Sequence, residues 1–435
     1  MRLVLTTLAL LAPLAAAQPT VEIIDKTDAA KFLPEVVKVE KVASGMKFTE
    51  GPIWFPAGSG PAADGAPDGY LLFSDIPSNH IKRWTPDGKL STFRENSGGT
   101  NGNARDAAGL LLSCEGYNRR LTRTEKDGKV TVLADEFDGK KLSSPNDVAV
   151  HPSGALYFTD PTYGKPKDAP KEQATNNVYR LDPHTLRIAA VATDFDMPNG
   201  LALSPDAKTL YVADSGKPKH IRALPVNADG TLGQARPFCT IDKGAPDGIK
   251  VDRAGRVWSS SADGVQIFSP EGKLVARVLV PEPAANLAFG GASGNDLFVT
   301  SRTSLYRVTL KPGGGEGVTA GGLPAPATPA EEVITGMIGK LDEMTAALKT
   351  VRDANSSRAA APRLRTIVAD LKALKARADR LKEAPEQSAP LKARYEQPLR
   401  DASTAFTAEV MRIAADPALM TPELQNAFEQ MSTLK

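Results

Sequence analysis

Between Glu50 and Asn286 the chain restates one pattern six times: an Asn, Asp or Glu, usually followed by Gly or Asp, then alternating apolar residues, a Gly-containing turn and a second short strand. The copies read EGPIWFPAG from Glu50, NGNARDAAG from Asn101, NDVAVHPSG from Asn146, NGLALSPDA from Asn199, DGIKVDRAG from Asp247 and NLAFGGASG from Asn286. They start 39 to 53 residues apart, the interval at which a chain lays down successive propeller blades. The second strands, such as YLLFSD from Tyr70 and ALYFTD from Ala155, lead into two-strand segments such as IKRWTPDGKLSTFR that complete each blade. The expected fold is therefore all-β, a six-bladed β-propeller.

In a propeller the innermost strand of each blade lines the central channel, and successive strands run antiparallel. Six oxygen-bearing side chains at the starts of the inner strands should therefore meet at one mouth. The second strands return to the same face, so Asp75, Glu115, Asp160, Asp214, Ser261 and Ser301 are expected as an outer ring. Asn-Gly and Asp-Gly pairs also make tight turns. That reading does not explain Glu50, or why carboxylates and amides recur in register.

The chain of 435 residues exceeds one ordinary core. Arg2 and the apolar stretch LVLTTLALLAPLAAA, ending in small residues at Ala15 and Ala17, read as a signal peptide over 1–17, too short for a membrane span. A periplasmic or secreted protein is expected. Val36 to Val42 is strand-like, and the last blade runs out of chain near Leu310; the early strand is expected to close the ring and cover an open edge. The propeller is thus placed at 36–310. Residues 311–330, KPGGGEGVTAGGLPAPATPA, read as a linker. Beyond them Val333, Met337, Leu341, Met344, Leu348 and Val351 fall at helical spacing, with further helices expected around 357–383, 387–415 and 421–434. Pro362 is expected in the first turn of one of them. A small α-helical bundle over 331–435 buries these stripes most simply. No catalytic constellation falls there, and the helices are a candidate surface for a protein partner.

Composition excludes several classes. A net charge of +2 with 24% charged residues gives no cationic face for nucleic acid. Cys114 and Cys239 fall in different blades, which favours two free thiols over a bridge. The four histidines are scattered, with no zinc spacing, no GxSxG elbow and no phosphate-binding glycine loop.

The ring itself offers carboxylates from Glu50 and Asp247 and amide oxygens from Asn146 and Asn199. Hard oxygen donors of this kind suit a divalent cation, Ca2+ first, with magnesium or manganese as alternatives. Two carboxylates match its charge.

The strings EGPIWF, SPNDVAV, FTDPTYG, PNGLALS and PDGIKVD resemble those of the gluconolactonase, regucalcin or senescence-marker family of six-bladed propellers, more distantly related to diisopropyl fluorophosphatase and paraoxonase. The resemblance implies that Glu50, Asn199 and Asp247 are metal ligands. It implies the same for Asn146, a ligand in some members and a substrate contact in others. Asp247 would also serve as general base or nucleophile. Asn101, Arg105, Glu115 and Tyr163 lie where related lactonases carry their NG, CE and DPxYG strings, and are the implied substrate contacts. Gly116 departs from the pattern, standing where bacterial gluconolactonases usually carry His. The function implied is calcium-dependent hydrolysis of sugar lactones. A noncatalytic binding propeller stapled by its ion, and a related esterase or phosphotriesterase acting on ester substrates, remain as alternatives.

Overall fold

A computed structural model of the chain describes residues 20–61, 66–106, 108–183, 186–227, 229–311, 329–378 and 385–432. The segment read as a signal peptide and most of the segment read as a linker lie outside these residues.

The described chain is a six-bladed β-propeller with a small C-terminal helical region. The inner strands are Thr49–Phe55, Thr100–Arg105, Val148–Val150, Pro198–Leu203, Ile249–Val251 and Ala284–Gly290, one per blade. Each is followed outward in antiparallel order by its sequence neighbours. The last blade runs out at Ser304–Thr309, and Val39–Ser44 supplies its fourth strand, pairing Val39 with Val308 and Ser44 with Ser304. Beyond the repeat pattern, Val21–Ile23 adds a fifth strand to the outer edge of the fifth blade, Val21 facing Val278.

The recurrent Asx-Gly pair is not a hairpin turn. In three blades the pair sits inside the inner strand at a break in register, between Glu50 and Ile53, Thr100 and Asn103, and Pro198 and Leu201; the sixth blade breaks register just before Asn286, between Ala284 and Asn286. A bulge of this kind re-aims side chains that would otherwise alternate. The glycine after it is required by the neighbouring blade. A Cβ on Gly102 would lie 2.4 Å from Asp147 Oδ1, and one on Gly200 2.4 Å from the backbone oxygen of Asp247. The approach is used: Gly102 N–H donates to Asn146 O at 2.7 Å, Gly200 N–H to Asp247 O at 3.1 Å and Gly248 N–H to Ala285 O at 2.8 Å. Blades are thereby hydrogen-bonded to one another at the channel wall. Between blades the core is apolar; Leu287, Leu297, Val299, Val265 and Trp258, for example, share one buried cluster.

The helices run Pro329–Lys349, Ala354–Ala378, Pro385–Ala414 and Pro422–Ser432. Met344, Leu348, Val351, Leu364, Val368, Ile413 and Leu424 close a core of their own. Pro362 lies inside the second of these helices rather than in its first turn. Asp353 is the reason: its Oδ1 accepts from Ser356 N–H at 2.8 Å and its backbone oxygen from Ser357 N–H at 2.9 Å, which starts the helix before the proline. Among the described residues no helix is long and apolar enough to cross a membrane. Both cysteines are free; Cys114 is buried and Cys239 half-buried.

Candidate active site

One mouth of the channel opens into a cavity of about 340 Å3 lined by Glu50, Asn101, Asn146, Tyr163, Asn199 and Asp247, with Ser144 and Ser215 between them. Six of the eight side chains predicted for the site therefore meet there. Five are the starting residues of successive repeats, and Glu50, Asn101 and Asn199 among them sit at the bulges.

Their polar atoms are incompletely used. Glu50 is 4% exposed, and its Oε2 accepts from Gly51 N–H at 2.8 Å and Asn286 Nδ2 at 2.9 Å. Oε1 takes no hydrogen bond among the described residues. Asn101 Oδ1 is buried without a partner. Asn199 donates from Nδ2 to Ser215 Oγ at 3.0 Å, and that hydroxyl donates to Pro246 O, which commits the amide nitrogen.

Charge is unbalanced as well. Burial pushes the Glu50 carboxyl up to about 7, with the nearby Asp147 charge adding to the rise and Asn286 opposing it. Asp247 is pushed well above the usual carboxylate range by burial first and then by Glu50, against the pull of the Asn199 side chain. Three buried carboxyl groups thus feel one another with Lys250 as the cation that offsets Glu50 and Asp147.

Asp147 and Asn286 complete this centre and were not singled out as functional from sequence. Asn286 Nδ2 bridges Glu50 to Asp147 Oδ2, the latter at 3.5 Å, and Asp147 is 2% exposed. Asn286 opens the sixth repeat and was legible as a ring member. Asp147 was hidden behind Asn146, because strict strand alternation would send consecutive residues to opposite faces. Its signal is the NDV string itself, where a carboxylate stands in place of the glycine that follows Asn101 and Asn199.

Two predicted substrate contacts lie elsewhere. Arg105 ends the inner strand Thr100–Arg105 and lines a different cavity, which holds the far ends of the inner strands. The repeat located the start of the strand, but a full strand length carries its last residue to the opposite end. Glu115 is 2% exposed and saturated: Oε1 accepts from Arg94 at 3.2 Å and Thr122 at 3.0 Å, Oε2 from Arg120 and Asn118 at 2.7 Å each. It holds the wall together and does not face the cavity.

Its neighbours in the outer ring brace the loops that carry the site. Asp75 Oδ1 accepts from Lys47 and Phe48 N–H, Asp160 from Ser143 and Ser144 N–H at 2.7 Å each, and Asp214 from Asp196 and Met197 N–H. The second amide of each pair lies two residues before Glu50, Asn146 or Asn199. The ring is thus a support shell rather than a second binding surface. Gly116 lies on the cavity wall, and a Cβ there would stand 2.9 Å from Ser144 Oγ.

Fold and cavity together define the class of the chain, a six-bladed propeller with a ring of amides and carboxylates at one channel mouth. Residues 48–303 match the model of the family described as the SMP-30/Gluconolactonase/LRE-like region, and the chain belongs to that family. It is 29% identical to a gluconolactonase of Zymomonas mobilis over 70% of this chain and 95% of that protein. It is 29% identical to a regucalcin of Xenopus laevis over 61% of this chain and 87% of the relative. Among solved structures it resembles a gluconolactonase of Xanthomonas campestris, with 34% identity, a TM-score of 0.62 and coverage of 68% of this chain and 96% of that one.

Proposed function

We propose that the chain hydrolyses sugar lactones or closely related esters with the help of a divalent cation, calcium first. The observation that carries this reading is the convergence of Glu50, Asn146, Asn199 and Asp247 on one cavity, beside the unpartnered oxygen of Asn101. Among the described residues no three His, Cys, Asp or Glu side chains form a metal cluster. The donor set is instead two carboxylates and two amides, all hard oxygen ligands, and it fits a cation that tolerates water in its remaining positions. The Asp147 charge raises the proton affinity of Glu50 and the Glu50 charge that of Asp247, an arrangement of buried negative charge that a bound cation would relieve.

Bound there, a cation would supply Lewis acidity for the lactone carbonyl and its developing oxyanion. The protein's own part is positioning and proton transfer. Asn101, with its unpaired Oδ1, and Tyr163, half exposed at the mouth, orient the ring. Asp247 holds the attacking water or takes its proton as the oxygen adds to the carbonyl carbon. The ring C–O bond then breaks, the departing oxygen is protonated, and a hydroxy acid leaves.

A panel of lactones assayed with and without chelator tests the proposal. Turnover should vanish on chelation and return with calcium, and Asp247→Asn should abolish it while the propeller stays folded. Full activity in Asp247→Asn would refute the assignment. Because the four donors come from four blades, the same ion would also tie blades together. Tight calcium binding by calorimetry without hydrolysis of any lactone would favour that purely structural role.

A further inference from the structure

Arg105 leads to a second cavity, at the opposite end of the channel from the site above. Its volume is about 550 Å3. The same strands connect the two: Glu50 lies at one end and Trp54 at the other, Asn101 at one and Arg105 at the other, Asp247 at one and Lys250 at the other. Three or four residues of extended chain separate the cavities, roughly 10–13 Å.

The chemistry of this end is the reverse of the first. Among the described residues its lining carries three cations, Arg105, Lys250 and Arg253, against one carboxylate, Asp68. Apolar walls are supplied by Trp54 and Phe289. Arg105 makes no hydrogen bond with any described residue although burial lowers its pKa. Its neighbour Asp106 is otherwise engaged, accepting from the N–H groups of Ala108 at 2.9 Å and Leu110 at 2.8 Å. Lys250 Nζ donates to Ile249 O at 3.1 Å and keeps further protons to give. A desolvated guanidinium is costly without an anionic or hydrogen-bonding partner, and a cavity of this size holds a small organic molecule.

We infer that this cavity is a binding site for an organic anion, a carboxylate or sulfonate head on a flat apolar body. The head pairs with Arg105 and Lys250, and the body packs against Trp54 and Phe289. Lys250, whose charge offsets Glu50 and Asp147, is shared with the first centre, whereas Arg105, Trp54 and Phe289 line this cavity and not the other.

The test uses the full-length protein with 2-naphthoate and its neutral analogue 2-naphthylmethanol, followed by calorimetry in the presence of chelator. Wild type should bind one naphthoate, with the alcohol at least about tenfold weaker, the scale of one charge-assisted hydrogen bond. Arg105→Gln should weaken naphthoate by about the same factor, leave the alcohol unchanged and leave lactone turnover unchanged. Equal affinity for naphthoate in Arg105→Gln, or equal binding of alcohol and acid by wild type, overturns the proposal. So does naphthoate binding that survives in Arg105→Gln and disappears in Asp247→Asn, which would place the acid at the first mouth. Should Arg105→Gln fail to fold, the acid-to-alcohol comparison in wild type and in Asp247→Asn decides the matter.

Discussion

At the scale of single residues, the buried carboxyl groups make the metal-free protein sensitive to pH in a definite direction. The ordinary value for Glu50 is 4.5 and its folded value is about 7. A group with a raised folded pKa contributes stability that is fully present below the lower value and lost as pH rises through the higher one. The chelated protein should therefore melt at lower temperature at pH 7.5 than at pH 5. Calcium should remove the difference, and Glu50→Gln should flatten the chelated profile. A chelated melting temperature that climbs over this range would contradict the arrangement of charges described. Much of this centre could be read from residues alone: Glu50, Asn146, Asn199 and Asp247 each open a repeat. Asp147 was harder to read, since strict alternation would send its side chain away from that of Asn146, and only the missing glycine of the NDV string marks it.

At the scale of elements, the inner strands and the loops before them hold the donors by two devices, contact glycines and carboxylate braces. Gly200→Ala would put a Cβ 2.4 Å from Asp247 O and 2.7 Å from Gly248 Cα, both backbone atoms. We expect a loss of about 1–3 kcal/mol in denaturant unfolding, the usual scale of overpacking, with lactone turnover reduced further because the Asp247 loop is what must yield. Asp160→Ala would leave the buried amides of Ser143 and Ser144 without acceptors. Two such orphans predict destabilisation of about 2–4 kcal/mol by calorimetry, and Asp160→Asn should recover part of it. Second-strand carboxylates were visible in the sequence, but their targets were not. Asp75, Asp160 and Asp214 look like ring members in a linear pattern, and only three-dimensional proximity shows their oxygens spent on backbone N–H groups. Arg105 and Glu115 fall away from the cavity for related reasons: a repeat marks where a strand begins, while strand length and neighbouring arginines decide where its last side chain goes.

At the scale of the whole molecule, the closing strand and the helical region make opposite predictions for truncation. Removing residues 1–44 strips the partner of Ser304–Thr309 and exposes an unpaired edge in the last blade. Such a chain should be recovered largely as aggregate, as seen by size-exclusion chromatography. Removing 329–435 takes away a core made only of helical residues. The remaining propeller should keep its melting transition and its lactone turnover within about twofold, an activity ratio worth less than 1 kcal/mol. The early strand was legible because the last blade visibly lacked one. Val21–Ile23 was not, being three residues outside any repeat.

The closing pair also orders events in time. Glu40 meets Arg307 across 267 residues of chain. At ordinary rates of synthesis, that interval is on the order of 15–50 s. The closing strand thus leaves the ribosome well before its mate exists, and the nascent propeller must stay unlatched until its final blade has been made.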